Sequence, residues 1–248
     1  MNIISAKKFL LWKKKQLLKG GDIQSFQLML DIVGGLTHEE LNLININPDR
    51  NLNLKTSLDN IQIIWDSHLF NNVPIQHLCG FTFWRDLKLK VSEKVLIPRP
   101  ETELIVDIVL RILGNDSQKL LFAELGTGSG AISICLALEK PSWEGIATDI
   151  DKNAIEIASN NFKFYSKNSN LKFVCGHWLN PLGDFKDNLD IIISNPPYIP
   201  KKYYEKLPNE VKSFEPKLAL YGGEDGLEHI SEIITNAPIY LKKNGWLI

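Results

Sequence analysis

From residue 100 onward, short apolar runs alternate with stretches of helical periodicity. That alternation constrains the fold more than any other feature of the chain. Residues 120–125, 145–150, 171–175, 189–194 and 245–248 read as five strands. Residues 131–139, 151–165 and 227–241 read as helices, with another beginning near Glu101. Ile191-Ile192-Ile193 is apolar without a break, as in a strand buried on both faces. Strands and helices in turn predict an α/β, doubly wound, mainly parallel sheet. A ligand of such a sheet sits at the carboxyl ends of its strands.

The first hundred residues speak differently. Residues 1–75 carry helical spacing, interrupted by Gly20-Gly21 and Gly34-Gly35. Thr37-His38-Glu39-Glu40 has the form of a capping box, and Leu58, Ile61, Ile64, Trp65 and Leu69 share one helix face. In residues 76–99, Phe81, Phe83, Leu87, Leu89 and Val91 alternate with polar neighbours, which predicts an antiparallel hairpin. The expected organisation is a helical domain over 1–75, a hairpin linker over 76–99 and an α/β domain over 100–248.

Composition narrows the function classes. The chain has 28 basic and 29 acidic residues, a formal net charge of −1, which argues against coating nucleic acid. Cys79, Cys135 and Cys175 are scattered and form no CxxC pair, so neither a metal cluster nor a redox motif is expected. The N-terminal apolar run is too short for an export signal, and 120–138 is broken by Glu124 and three glycines. A cytoplasmic chain without a membrane span is expected. Lys7, Lys8, Lys13, Lys14, Lys15 and Lys19 suit a solvated helix face or a surface for an acidic partner.

Glu124-Leu125-Gly126-Thr127-Gly128-Ser129-Gly130 lies between the first strand and its helix. Glycines let the backbone turn sharply and approach a ligand, and the helix N-terminus behind them favours an anion. The loop fits a GxGxG turn for S-adenosylmethionine, and Gly126-x-Gly128-x-x-Ala131 fits a dinucleotide equally well. Asp149 ends the second strand about 20 residues on, where a carboxylate can accept from ribose hydroxyls. It also suits a helix N-cap. Trp178 follows the third strand and could cover an adenine face or simply close a strand end.

Ser194-Asn195-Pro196-Pro197-Tyr198 after the fourth strand is the most specific signal. A planar nitrogen is a poor nucleophile because its lone pair is delocalised. Two acceptors gripping its N–H groups orient it and favour charge on nitrogen. Asn195 offers a side-chain carbonyl and Pro196 a backbone carbonyl. The prolines fix φ and restrict the residue before them, so these carbonyls are held on a stiff loop. Tyr198 can pack on the planar group. Asn195, Pro196 and Tyr198 are therefore the candidate catalytic residues.

Further runs are Pro74-Ile75-Gln76-His77-Leu78-Cys79-Gly80 with Phe83-Trp84, and Leu96-Ile97-Pro98-Arg99-Pro100-Glu101-Thr102-Glu103. Near the C-terminus come Glu215-Pro216-Lys217-Leu218-Ala219-Leu220 and Gly222-Gly223-Glu224-Asp225-Gly226-Leu227. In order, with the two loops, they resemble the peptide chain release factor glutamine N5-methyltransferase family. The resemblance implies a Rossmann-like class I methyltransferase sheet and S-adenosylmethionine as cofactor. It implies methylation of the glutamine amide in the Gly-Gly-Gln motif of class I release factors, without direct nucleic acid binding. It assigns Gly126, Thr127, Gly128, Ser129, Gly130, Asp149, Trp178 and Asn195 to the cofactor. Asn195, Pro196, Pro197 and Tyr198 fall to the glutamine, Glu124 to the methionine portion, and the Arg99–Glu103 run borders the pocket.

The NPPY loop is shared with DNA adenine methyltransferases, so a DNA or RNA adenine N6-methyltransferase is the alternative. A non-catalytic cofactor-binding relative is the second. Class I methyltransferase sheets have seven strands, and this sequence ends inside the fifth. Strands six and seven are therefore expected to be missing, leaving an unpaired apolar edge and low stability.

Overall fold

The computed structural model describes residues 2–114, 119–166 and 170–248. The chain forms two compact units, Met1–Thr82 and Phe83–Ile248.

The first unit runs β1 (Asn2–Ser5), α1 (Ala6–Leu17), α2 (Ile23–Met29), a π-helical turn (Leu30–Gly34), α3 (His38–Ile46), β2 (Asn51–Leu54), α4 (Leu58–Asn71) and α5 (Ile75–Cys79). Short polar side chains start its helices by accepting otherwise unpaired N–H groups. Asp22 takes the Ser25 N–H at 2.8 Å and Ser57 the Asn60 N–H at 3.2 Å. The expected capping box is present. Thr37 Oγ1 accepts from Glu40 N at 3.2 Å, and Glu40 Oε2 accepts from Thr37 N at 2.9 Å. Phe9, Phe26, Met29, Ile44, Ile61 and Trp65 form the core. Phe26 and Trp65 meet edge to face with ring centroids 4.8 Å apart.

Two features depart from the sequence reading. β1 and β2 pair antiparallel, from Asn2↔Leu54 to Ser5↔Asn51, where only helices were expected. Leu52 and Leu54 do alternate with exposed asparagines, but four residues are too few for a period to stand out. Lys19 is not simply solvated, for it meets Asp66 at 2.6 Å. That acid lies one helix pair away in sequence and beside it in space.

The boundary between the units falls inside β3 (Phe81–Trp84), which forms a two-stranded sheet with β4 (Leu87–Lys90). In β3 the inward residues have the opposite parity to the expected Phe81 and Phe83, for Thr82 and Trp84 are buried and Phe83 is half-exposed. Leu87, Leu89 and Val91 are buried as expected. Both faces of Phe-Thr-Phe-Trp offer an aromatic. Trp84 is turned inward, where its indole donates to the Arg99 carbonyl at 2.9 Å.

Beyond these strands come a 3-10 turn (Pro100–Thr102), α6 (Glu103–Leu113), β5 (Leu121–Leu125), α7 (Ala131–Glu139), β6 (Glu144–Asp149), α8 (Lys152–Tyr165), β7 (Leu171–Cys175) and β8 (Leu189–Ser194). Then follow α9 (Lys201–Tyr204), α10 (Asn209–Phe214), α11 (Lys217–Leu220), α12 (Glu228–Asn236) and β9 (Leu241–Leu247). The last strand begins before the expected Gly245, because Asn244 at φ +68° and an irregular register between Leu189 and Ile191 hide a bulge there. Pro238 follows α12, which ends earlier than expected.

The five strands form one parallel sheet in the order β7-β6-β5-β8-β9. Phe122, Ile191 and Ile193 pack with α6, α7 and α8 on one face. Ala123, Leu125, Ile146 and Ile192 pack with Leu182 and α12 on the other. The chain runs outward from β5 through β6 to β7, then returns to the far side of β5 as β8. That reversal opens a crevice above the carboxyl ends of β5 and β8. Among the described residues no helix is long and apolar enough to cross a membrane.

Candidate active site

The two motif-bearing loops leave adjacent strands. Leu125 is paired with Ser194 in the register of β5 and β8, whose axes lie about 4.8 Å apart. Ser194 Oγ donates to the Leu125 carbonyl at 2.9 Å and ties the loop roots together.

In the glycine loop, Gly126, Gly128 and Gly130 have φ of +73°, +54° and +85°. Each takes the left-handed region that costs a side-chain-bearing residue strain. Their surroundings differ. Nothing lies within 4 Å of where a Gly128 Cβ would be, so that backbone faces open space. A Cβ on Gly130 would stand 2.8 Å from Ile134 and 3.1 Å from Ala158. Gly130 therefore lets α7 and α8 approach, and it does not line the cavity described below. Gly126 and Thr127 both donate to the Thr148 carbonyl at 2.9 Å.

Asp149 is not the N-cap of α8. Asp151 has that position and accepts from Asn153 N at 2.8 Å. Asp149 instead accepts from Gly128 N at 2.9 Å and Asp151 N at 3.0 Å, one on each oxygen. A carboxylate has about four acceptor sites, so these bonds do not use them all. Burial raises its pKa, against the pull of these hydrogen bonds.

Glu124 is fully buried beneath the loop. Its Oε2 accepts from Thr127 Oγ1 at 2.6 Å and from Ser133 N at 3.0 Å. Burial pushes its carboxyl up to about 7, against those bonds. The folded state then keeps a proton that the unfolded state releases above the ordinary value of 4.5. The contribution of Glu124 to stability is expected to fall as pH rises from about 4.5 to about 7, and to be level on either side. Glu124→Gln should lose most of that slope, with a smaller one of the same sign left by Asp149. Urea unfolding at pH 5, 6, 7 and 8 reads it, and a variant slope equal to that of the parent chain would contradict it.

A cavity of about 310 Å³ opens over both loops, within the usual range for small-ligand sites. Glu124, Gly126, Thr127, Gly128, Ser129, Asp149, Trp178, Asn195 and Pro197 line it. Pro196 and Tyr198 do not, and the Tyr198 side chain stands in solvent. Trp178 adopts φ +43°, held by the Thr148 hydroxyl on its carbonyl at 3.0 Å. Its ring lies against His229 with centroids 5.5 Å apart.

Sequence reasoning missed several wall residues. His229 lines the cavity without any local signal, whereas Thr102 belongs to the Arg99–Glu103 run expected to border the pocket. Glu215 is buried and takes both of its hydrogen bonds from Arg99 Nη2, at 2.5 and 2.6 Å. The glycine run 222–226 buttresses the NPPY loop from behind. A Cβ on Gly222 would stand 2.7 Å from Tyr198 Cα, and one on Gly226 2.5 Å from the Tyr198 carbonyl oxygen. Ile199 N donates to Leu220 O and Gly222 N to Ile199 O, both at 2.9 Å. Only spatial neighbourhood connects these segments to the loop.

A family model described as a methyltransferase small domain matches residues 104–208. The chain is 40% identical over 245 residues to the release factor glutamine methyltransferase of Prochlorococcus marinus, covering 98% of this chain and 84% of that one. It is 39% identical over 213 residues to the release factor glutamine methyltransferase of Thermosynechococcus vestitus, covering 86% and 72%. Among solved structures, the hMettl16 catalytic domain in complex with MAT2A 3′UTR hairpin 6 matches with a TM-score of 0.52 at 17% identity. It covers 88% of this chain and 74% of that one, and the likeness is one of fold.

Proposed function

The chain belongs to the release factor glutamine methyltransferase family, and from that premise we propose that it methylates N5 of the glutamine side chain in the Gly-Gly-Gln motif of class I release factors, using S-adenosylmethionine, in the cytoplasm. One observation carries the reading. The Asn195 amide lines the same cavity as Gly126, Gly128 and Asp149. An amide-binding loop and a nucleoside-binding loop thus share one enclosure, as a transfer between a cofactor and a planar nitrogen requires.

The cavity's chemistry fits S-adenosylmethionine. Trp178 Nε1 and His229 Nδ1 are buried without a partner among the described residues. Asp149 keeps acceptor capacity for a ribose hydroxyl, and Gly128 leaves open space beside it. Gly126, Gly128, Asp149 and Trp178 would hold the nucleoside, and Glu124 the methionine end. When bound, the cofactor supplies an electrophilic methyl on a sulfonium.

The chain's own residues then act by position. Asn195 Oδ1 accepts from one N–H of the glutamine amide. The Pro196 carbonyl, outside the cavity lining, would accept from the other once a release factor docks, turning the nitrogen lone pair toward the methyl. The two acceptors also stabilise the positive charge that develops on that nitrogen until one of its two protons leaves to solvent. No covalent enzyme intermediate is needed, so preorganised acceptors carry the rate enhancement. Tyr198, exposed at the rim, would cover the planar amide once a release factor docks.

Incubation with methyl-labelled S-adenosylmethionine and a bacterial release factor tests this. Label is expected on the Gly-Gly-Gln glutamine. Label on an adenine-containing oligonucleotide and none on the release factor would overturn it in favour of an adenine methyltransferase. Binding of cofactor and release factor without turnover would favour a non-catalytic relative.

A further inference from the structure

We infer that Thr102 is a positioning residue that holds the Asn195 side-chain amide in place at the cavity wall. The inference rests on the reading above. Asn195 Nδ2 donates to Thr102 Oγ1 at 3.3 Å, and both residues line the cavity. The asparagine amide rotates about a broad, two-fold torsion unless a partner holds it, and the Thr102 hydroxyl holds it here through Nδ2. With Nδ2 committed to Thr102, Oδ1 is left to accept from the substrate. The reversed amide would set N–H against N–H and repel the group it must hold.

The turn that carries Thr102 is held by three sets of contacts. The Thr102 backbone N–H donates to the Arg99 carbonyl at 3.1 Å, closing the Pro100–Thr102 turn. The Trp84 indole donates to that same carbonyl at 2.9 Å. The Arg99 guanidinium is held by buried Glu215 through two contacts of 2.5 and 2.6 Å. Trp84 of β3 and Glu215 before α11 thus both hold Arg99, at the start of the turn that carries Thr102. This gives the Arg99–Thr102 part of the motif a role that its sequence did not reveal. The side chains of Arg99 and Trp84 hold the turn, and Thr102 alone reaches the amide.

Thr102→Val keeps the shape and removes the acceptor, whereas Thr102→Ser keeps the acceptor. In Thr102→Val, kcat for glutamine methylation is expected to fall about tenfold, the scale of one hydrogen bond. KM for the release factor and Kd for S-adenosylmethionine should stay within about twofold, since neither contact involves Thr102. Thr102→Ser should restore kcat. Thr102→Ala serves in the same way should the valine variant fail to fold.

An independent readout is the side-chain NH2 signal of Asn195 in a nitrogen-15 spectrum of the full chain, identified by its loss in Asn195→Ala. It should shift in the valine and alanine variants and return in the serine variant. Wild-type kcat in a folded Thr102→Val protein, or an unmoved Asn195 signal, overturns the inference. If the wild-type chain leaves glutamine unmethylated, the functional reading fails. The spectrum still decides the Thr102–Asn195 contact.

Discussion

Asn195→Ala is expected to lower kcat for glutamine methylation by about 10²–10³-fold, the scale of losing one preorganised group that stabilises developing charge. The remaining acceptor, the Pro196 carbonyl, would grip one N–H and leave the other free, so the amide could turn its lone pair away from the methyl. Binding of S-adenosylmethionine should persist within a few-fold, because Gly126, Gly128, Asp149 and Trp178 are untouched. The fold should persist too, since Asn195 makes one side-chain hydrogen bond, to Thr102. Single-turnover kinetics with saturating cofactor, beside calorimetric binding and a thermal melt, separate the terms. Near-wild-type turnover would mean that Asn195 does not hold the nucleophile.

Asp149→Ala should produce the opposite pattern, a loss concentrated in cofactor affinity. The carboxylate accepts the Gly128 N–H at 2.9 Å and retains acceptor sites facing the cavity. Its removal deletes charge-assisted bonds to the ribose and releases the tip of the glycine loop. Hydrogen bonds to a charged group are worth about 1.5–3 kcal/mol each. Kd for S-adenosylmethionine is therefore expected to rise about 100-fold or more. Asp149→Asn keeps one oxygen and should fall between. Calorimetric titration reads the affinities, and kcat at saturating cofactor should move much less. An unchanged Kd would place the ribose elsewhere.

These two variants test loops that were legible in the sequence, and the reason is local. Gly126, Gly128 and Gly130 mark a turn because only glycine adopts their φ cheaply. The alternation of strands and helices over 120–194 reflects periods that survive any packing arrangement. The capping box at Thr37 was legible on the same ground, since its two hydrogen bonds span three residues. The dual fit of the glycine loop to two cofactors stayed open at that level. Nothing within seven residues distinguishes the ligand that lies above them.

What escaped depends on residues far apart in the chain. Phe81 and Phe83 satisfy a period of two as well as Thr82 and Trp84 do, and an indole reaching the Arg99 carbonyl decided between them. Asp149 looked equally able to cap a helix until Gly128 was seen to occupy it. Gly130 belongs to the same motif as Gly128 but serves helix packing, because Ala158 of α8 stands against it.

The sequence by itself determined the sheet and the two loops, because backbone conformation and hydrophobic period are properties of neighbours along the chain. Tertiary structure alone decided which loop atoms face the cavity. It also brought Glu215 to Arg99 and Thr102 to Asn195, across 116 and 93 residues. Orientation of a freely rotating amide requires a partner at hydrogen-bond distance, and only the folded chain supplies one.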